Sequence, residues 1–286
     1  MNSAAEARPL SPMAKRGGVA RLARKYSMQI AIVAKRNLIK IKRVPDLLVF
    51  STVQPIMFVL LFAYIFGSAI EIPGLSYREF LMGGIFVQTC VFGATITGAG
   101  LADDIKKGII DRFRSLPMAR SAVLVGRTTS DLLNNALVVV IMSLTGLVVG
   151  WRIRSSVLEA LGGFALLLLF SYAISWVMAT VGLSVSSVEV VNNASFIFIF
   201  PLTFIANTFV GTTNLPGVLK PVAEWNPVSA ITQAVRELFG NTSSVVPAPT
   251  AWPLRHPVFT SLVWIVLILA TFIPLAVNRY KKAAAR

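Results

Sequence analysis

The chain is poor in the residues that build chemical sites. Among 286 residues there is one cysteine, Cys90, and one histidine, His256. No intrachain disulfide, thiolate cluster or multi-histidine metal site can form from them. No G-x-x-x-x-G-K-[ST] phosphate loop occurs, so ATP binding in that manner is excluded. H-E-x-x-H is absent too, as is any cluster of carboxylates suited to metal or hydrolytic chemistry. Acidic residues number only 12 against 27 Lys and Arg, giving a net charge of +15. Such an excess suggests nucleic acid in a soluble protein, but here no interleaving of basic and aromatic residues accompanies it. The basic residues gather beside apolar runs, as membrane flanks do. No cleavable leader is expected, because the first long apolar run begins near Leu47, too far in and too long for one.

Apolar residues are abundant, at 55%, and the mean hydropathy of +0.73 is too high for a soluble globule of this size. They are clumped into six runs: 47–70, 80–101, 132–150, 158–185, 190–210 and 258–277. The predicted fold is therefore an all-α integral membrane domain of about six spans over residues 19–286, after a disordered tail at 1–18. Eleven Lys and Arg precede residue 46, six lie between 106 and 127, and four follow 278; the loops at the opposite end hold six. The positive-inside rule then places both termini in the cytoplasm and makes the chain a multi-pass protein of the plasma membrane. Ionisable residues inside the spans are nearly absent, whereas proton-coupled carriers need them.

The stretch 103–120, DDIKKGIIDRFRSLPMAR, organises the rest. On one helix Ile105, Ile109, Phe113 and Leu116 form an apolar stripe, with Asp104, Lys107, Asp111, Arg112 and Arg114 off it. Pro117 closes such a helix at Leu116. It is too short to span, and reads either as a surface helix that a soluble partner pushes or as a basic loop that fixes topology. Residues 19–46 form a second basic amphipathic segment, including Lys35, Arg36 and Arg43, which Pro45 turns into the membrane.

Span 80–101 is rich in Gly and Thr, a pattern for close helix packing more than for a substrate groove. Arg127 and Asp131, four apart, suit an intrahelical pair. The run 190–210 is the most polar, with Asn192, Asn193, Pro201 and Asn207. It either lines a dimer seam and substrate path or bonds neighbouring helices. In the loop 211–257, Asn226 is an N-cap, Pro227 a first helical residue and Gly240 a left-handed terminator. Ile231, Ala234, Val235, Leu238 and Phe239 form one face of that short helix, while Arg236 and Glu237 make it too charged to span. It reads as an interfacial or re-entrant outer helix, preceded by another near 218–224. Asn241-Thr242-Ser243 matches a glycosylation sequon by chance.

Gly108 to Val123, G-I-I-D-R-F-R-S-L-P-M-A-R-S-A-V, resembles the daunorubicin-resistance (DrrB/DrrC-like) permeases of ABC-2 type. The likeness continues through Arg43 to Asp46, Gln54-Pro55, Phe66-Gly67, Gly150-Trp151-Arg152, and Asn226-Pro227 with Arg236. It implies a non-catalytic membrane subunit. Asp104, Lys107, Gly108, Asp111, Arg112, Phe113, Arg114, Leu116 and Pro117 would form its coupling helix; Lys35, Arg36, Arg43 and Pro45 would belong to its connecting helix. Asn226, Pro227 and Arg236 would belong to an outer gate. The chain would bind no cofactor; two copies of a separate ATPase subunit would hold ATP and magnesium. It would pair with itself or a second permease among membrane lipids. The implied cargo is an anthracycline-type drug or a complex lipid of phthiocerol type, and the uncharged seam favours lipid. The competing readings are an ion-gradient carrier using Asp131 or Glu189 and a lipid-modifying enzyme.

Overall fold

The structure, a computed structural model, describes residues 45–67, 72–109, 120–185, 187–212 and 215–283, with Met28, Ile32 and Ile39 from the amino-terminal arm. Ten α-helices are named here in chain order. They are α1 (Pro45–Leu61), α2 (Tyr77–Gly93), α3 (Thr95–Lys106), α4 (Arg120–Val149) and α5 (Val157–Gly182), then α6 (Val188–Phe204), α7 (Leu219–Trp225), α8 (Pro227–Leu238), α9 (Trp252–Arg255) and α10 (Pro257–Ala283). A π-helical turn, Phe62–Phe66, extends α1. Among the described residues there is no strand, only an isolated bridge between Ile72 and Leu75. The fold is an all-α membrane bundle. Tyr77–Lys106, Ser121–Val149, Val157–Gly182 and Pro257–Lys282 are long and apolar enough to cross a membrane, and Thr52–Ile65 and Val188–Phe204 are shorter apolar helices.

Several boundaries differ from expectation. The second span runs on to Lys106, with a break at Ala94 between α2 and α3. Asp103 and Asp104 therefore end a membrane helix instead of beginning a separate surface helix. Gly108 then takes φ +64°, a left-handed turn that only glycine enters cheaply. That turn separates Ile105 from Ile109 on the expected stripe, and the rest of the stripe lies outside the described residues. The third span begins at Arg120, well before residue 132, and α6 stops at Phe204 instead of reaching 210. Pro45 opens α1, where its missing N–H has no helical acceptor to lose. The sequence reading overlooked how α5 starts: Ser156 accepts from the Glu159 N–H, and Glu159 reaches back to Ser156, a reciprocal capping box.

The bundle has two ends. At one, Phe86, Trp151, Phe164 and Phe239 pack edge-on or tilted, with centroids 4.8–6.2 Å apart. Trp151 Nε1 donates to Asn241 Oδ1 at 2.7 Å, and Asn241 Nδ2 donates to the Arg152 carbonyl at 2.9 Å. Both ends of the Asn241 amide are engaged and the residue is buried, which hides the sequon in the folded chain. At the other end Leu101, Leu124, Trp176, Ala276 and Tyr280 form a separate, smaller core, with Ile105 packed against it.

Glycines set the closest helix crossing. A Cβ at Gly182 would overlap the Gly98 carbonyl, and one at Gly98 would sit 2.6 Å from the Met178 carbonyl. Gly182→Ala should therefore lower stability by about 1–3 kcal/mol despite alanine's better helix propensity. Gly162→Ala, where a Cβ meets only Leu238 at 4.0 Å, should not. Thermal unfolding of both variants in the same detergent checks this; equal melting points would refute the crossing.

Candidate functional site

Three groups of residues stand out, and the fold separates them. The first surrounds Gly108. Asp103 and Lys107 pair at 2.8 Å on the surface, one turn apart. Behind them Arg127 donates to Asp131 at 3.0 Å, as the spacing suggested, and also reaches across to the Ile96 carbonyl at 3.0 Å. A Cβ at Gly100 would overlap its guanidinium. Arg127 thus pins α4 to α3 just inside the loop that joins them, and both members of its pair are buried. Asp104 is buried as well; Lys107 is exposed and Gly108 half-buried. Asp111, Arg112, Phe113, Arg114, Leu116 and Pro117 lie outside the described residues, as do Lys35, Arg36 and Arg43. Met28, Ile32 and Ile39 are helical and exposed.

The second group is α6. It holds to the bundle by one narrow stripe, Val191, Ser195, Ile199 and Thr203, spaced four apart and buried chiefly against α3. Ser195 and Thr203 satisfy their hydroxyls on carbonyls one turn back. Much of the rest is uncovered: Asn192 and Asn193 are exposed, as are Phe196, Ile197, Phe198, Phe200 and Pro201, while Val188, Leu202 and Phe204 are half-buried against the core. Phe196, Phe200 and Phe204 stack in a ladder with centroids 5.3 and 4.1 Å apart. Asn207 does not share this face. It sits buried in the turn after α6, its backbone N–H donating to Ser229 Oγ at 3.0 Å. The expected set of four thus splits, because α6 ends before Asn207.

The third group joins the end of α6 to α8. The Asn226 side chain accepts from the Val228 N–H at 2.8 Å, capping α8. Its amide also donates to the Leu202 and Ile205 carbonyls at 2.8 and 2.7 Å. One side chain therefore satisfies two helix ends, and Pro227 follows at the first helical position. Gly240, at φ +70°, terminates α8 as expected. Arg236 is buried, and sequence reasoning did not anticipate how. Nε donates to the Phe80 carbonyl at 2.8 Å, Nη2 to the Thr208 carbonyl at 2.9 Å, and Cζ lies 3.5 Å from the Phe80 ring centroid. Burial pushes the guanidinium down from its usual value, to about 9, which leaves it charged at neutral pH. Gly83 makes room for this arm, and Gly84 for the Thr208 backbone. Nearby, Arg154 Nε donates to buried Glu79 at 2.9 Å. The glycines of the second span serve packing.

Among the described residues the bundle combines apolar outer faces, an α3–α4 tie at Arg127 and a short helix, α8, capped by Asn226, the layout of a multi-pass membrane domain. Comparison with known proteins agrees. The family model for the ABC-2 type transporter membrane domain matches residues 28–239. The chain belongs to the ABC-2 type transporter family. The daunorubicin resistance ABC transporter permease DrrB1 of Streptomyces coeruleorubidus is 33% identical over 208 residues, covering 73% of this chain and 74% of that protein. The probable doxorubicin resistance ABC transporter permease DrrC of Mycobacterium tuberculosis is 24% identical over 270 residues, 92% and 91% of the two chains. A putative transport permease, ycf38 of Porphyra purpurea, is 24% identical over 220 residues, 75% of each. This ABC-2 chain is accordingly a multi-pass membrane subunit of a transporter.

The Asn226 bridge makes a quantitative expectation. Asn226→Ala removes a cap and two carbonyl partners, and should cost about 2–4 kcal/mol in thermal unfolding. Asn226→Ser keeps a capping oxygen but not the reach, and should lose less. Equal losses would contradict a side chain that serves both helices.

Proposed function

We propose that this permease is the membrane half of an ATP-driven exporter, paired with a second permease and with two copies of a separate ATPase subunit that holds ATP and magnesium. The observation that carries the reading is its membership of the ABC-2 family in a chain with no phosphate loop of its own. The distribution of basic residues puts the Gly108 end and both termini in the cytoplasm. The α7–α9 region then forms the outer gate, with Asn226, Pro227 and Arg236 as its struts. The cargo is a hydrophobic drug or complex lipid, and the drug-resistance names of its relatives support that class.

The mechanism follows the packing. Closure of the ATPase domains presses on the connection between α3 and α4, from Lys107 to Pro117, and on the amino-terminal connecting segment. Arg127 ties α4 to α3, so the push reaches both helices together. From α3 it passes at Gly98 to α5 and along the Val191–Thr203 stripe to α6. The exposed face of α6 forms the seam with the second permease. Amides facing hydrocarbon are costly, and a neighbouring permease or a wet cargo path relieves that cost at Asn192 and Asn193. An ion-gradient carrier would need a free carboxylate, and Asp131 is engaged by Arg127.

Purification of the tagged chain from its native membrane in mild detergent tests the proposal. A stoichiometric ATPase subunit should accompany it. Phe113→Ala and Arg112→Glu should lose that subunit or its coupling while inserting normally, and Asp131→Asn should keep cargo export. A lone permease that transports in vesicles without ATP would overturn the reading.

A further inference from the structure

A half-open chamber of about 290 Å³ lies between α1, α2, the start of α3 and α4 at mid-depth in the bundle. Four amides line it: Gln54, Gln88, Asn134 and Asn135. Phe58 and Phe92 are part of its apolar wall. Gln54 is exposed and stands at the rim, while Gln88, Asn134 and Asn135 are each more than nine-tenths buried. Asn135 Nδ2 donates to Ser171 at 2.7 Å, which fixes that side chain. Gln88 and Asn134 make no hydrogen bond among the described residues, and their polar atoms are not sealed away as those of Asn207 and Thr232 are. Two unpartnered donor–acceptor groups therefore open into this space at membrane depth, an arrangement that is costly unless a polar guest completes it.

Among the described residues no charged side chain lines the chamber. The nearest carboxylate along α4, Asp131, is one turn away and held by Arg127. A cationic guest would find no counter-ion there, and a bare anion no cation. The volume is about twice that of a roughly 150 Å³ cavity known to hold benzene, enough for a polar head or one ring system with its tail left in the bilayer. Phe92 also stacks edge-on against Phe196 of α6, with centroids 6.2 Å apart. The chamber thus lies one side chain from the exposed face of α6.

We infer that this chamber is a docking site for an uncharged amphiphile whose hydroxyl or carbonyl groups bond Gln88 and Asn134. This deepens the exporter reading and rests on it, since the chamber then loads cargo beside the permease seam. Hydroxylated lipids and neutral polyketides share that chemistry; a cationic amine does not.

The test is photolabelling of the full-length chain alone, in phosphatidylcholine nanodiscs, with peptide mapping. The probes are a diazirine-bearing monoacylglycerol and a diazirine-bearing fatty amine of equal length. The glycerol probe should label the segments 54–58 and 88–96 saturably, about tenfold above the amine. Joint Gln88→Leu and Asn134→Leu should cut that labelling by about tenfold, as two lost hydrogen bonds imply. Should that variant fail to elute as a folded chain, Val138→Phe fills the chamber from its wall and should block labelling equally. Unsaturable label spread over α4 and α10, equal labelling by the amine, or labelling unchanged in a folded variant would each overturn the inference. No ATPase is present in this assay, so its failure leaves the exporter reading standing and the co-purification decides that separately.

Discussion

The Asn226 side chain holds the end of one helix and the start of another, and much of the molecule's shape depends on that bridge. A helix end inside a membrane bundle leaves carbonyls that water cannot reach, and each must find a donor. Asn226 supplies it for α6 while capping α8. That lets α6 stop at Phe204, before the apolar run ends, and lets the chain turn back as α8. Because α6 is short and held by one stripe, most of its circumference stays uncovered. Its uncovered side bears Asn192 and Asn193, whereas the exposed stripe of α4, from Leu133 through Leu144 to Val148, is wholly apolar. The contrast separates a face suited to protein or polar cargo from one suited to lipid tails.

The two ends of the bundle are built differently. At the α8 end, polar and aromatic groups interlock: Arg236 crosses to Phe80 and Thr208, Trp151 bonds Asn241, and Glu79 pairs with Arg154. Breaking the bonds of a guanidinium that stays buried is costly, so this end should move as a block. At the Gly108 end the described ties are of another kind. Arg127 and a small apolar cluster join α3, α4, α5 and α10, and the connection between α3 and α4 carries the family's most recognisable residues. A stiff end and a levered end are what a subunit needs if force applied at one side is to open a path at the other.

Much of this was legible because some signals are local. The Asn226-Pro227 start and Gly240 stop of α8, the Arg127–Asp131 pair and the six apolar runs all depend on neighbours within a few residues. Other features depend on distant partners and left no such mark. The second span passes Leu101 unbroken to Lys106 because Asp103 and Asp104 continue a helix that hydropathy alone would end. Asn207 shares composition with Asn193 but sits beyond the stop that Asn226 imposes. The Trp151–Asn241 bond spans ninety positions, and the chamber gathers amides from three helices. Only an excess of amides in otherwise apolar runs, Gln54, Gln88, Asn134 and Asn135, could have signalled it.

The central claim is that the exposed face of α6 meets another permease. A photoreactive benzoylphenylalanine placed at position 196, with the same group at Val266 on α10 for comparison, tests it in native membranes. The account predicts adducts from position 196 to a second permease chain, this one or a homologue, and lipid adducts alone from position 266. Lipid adducts alone from both positions would contradict it.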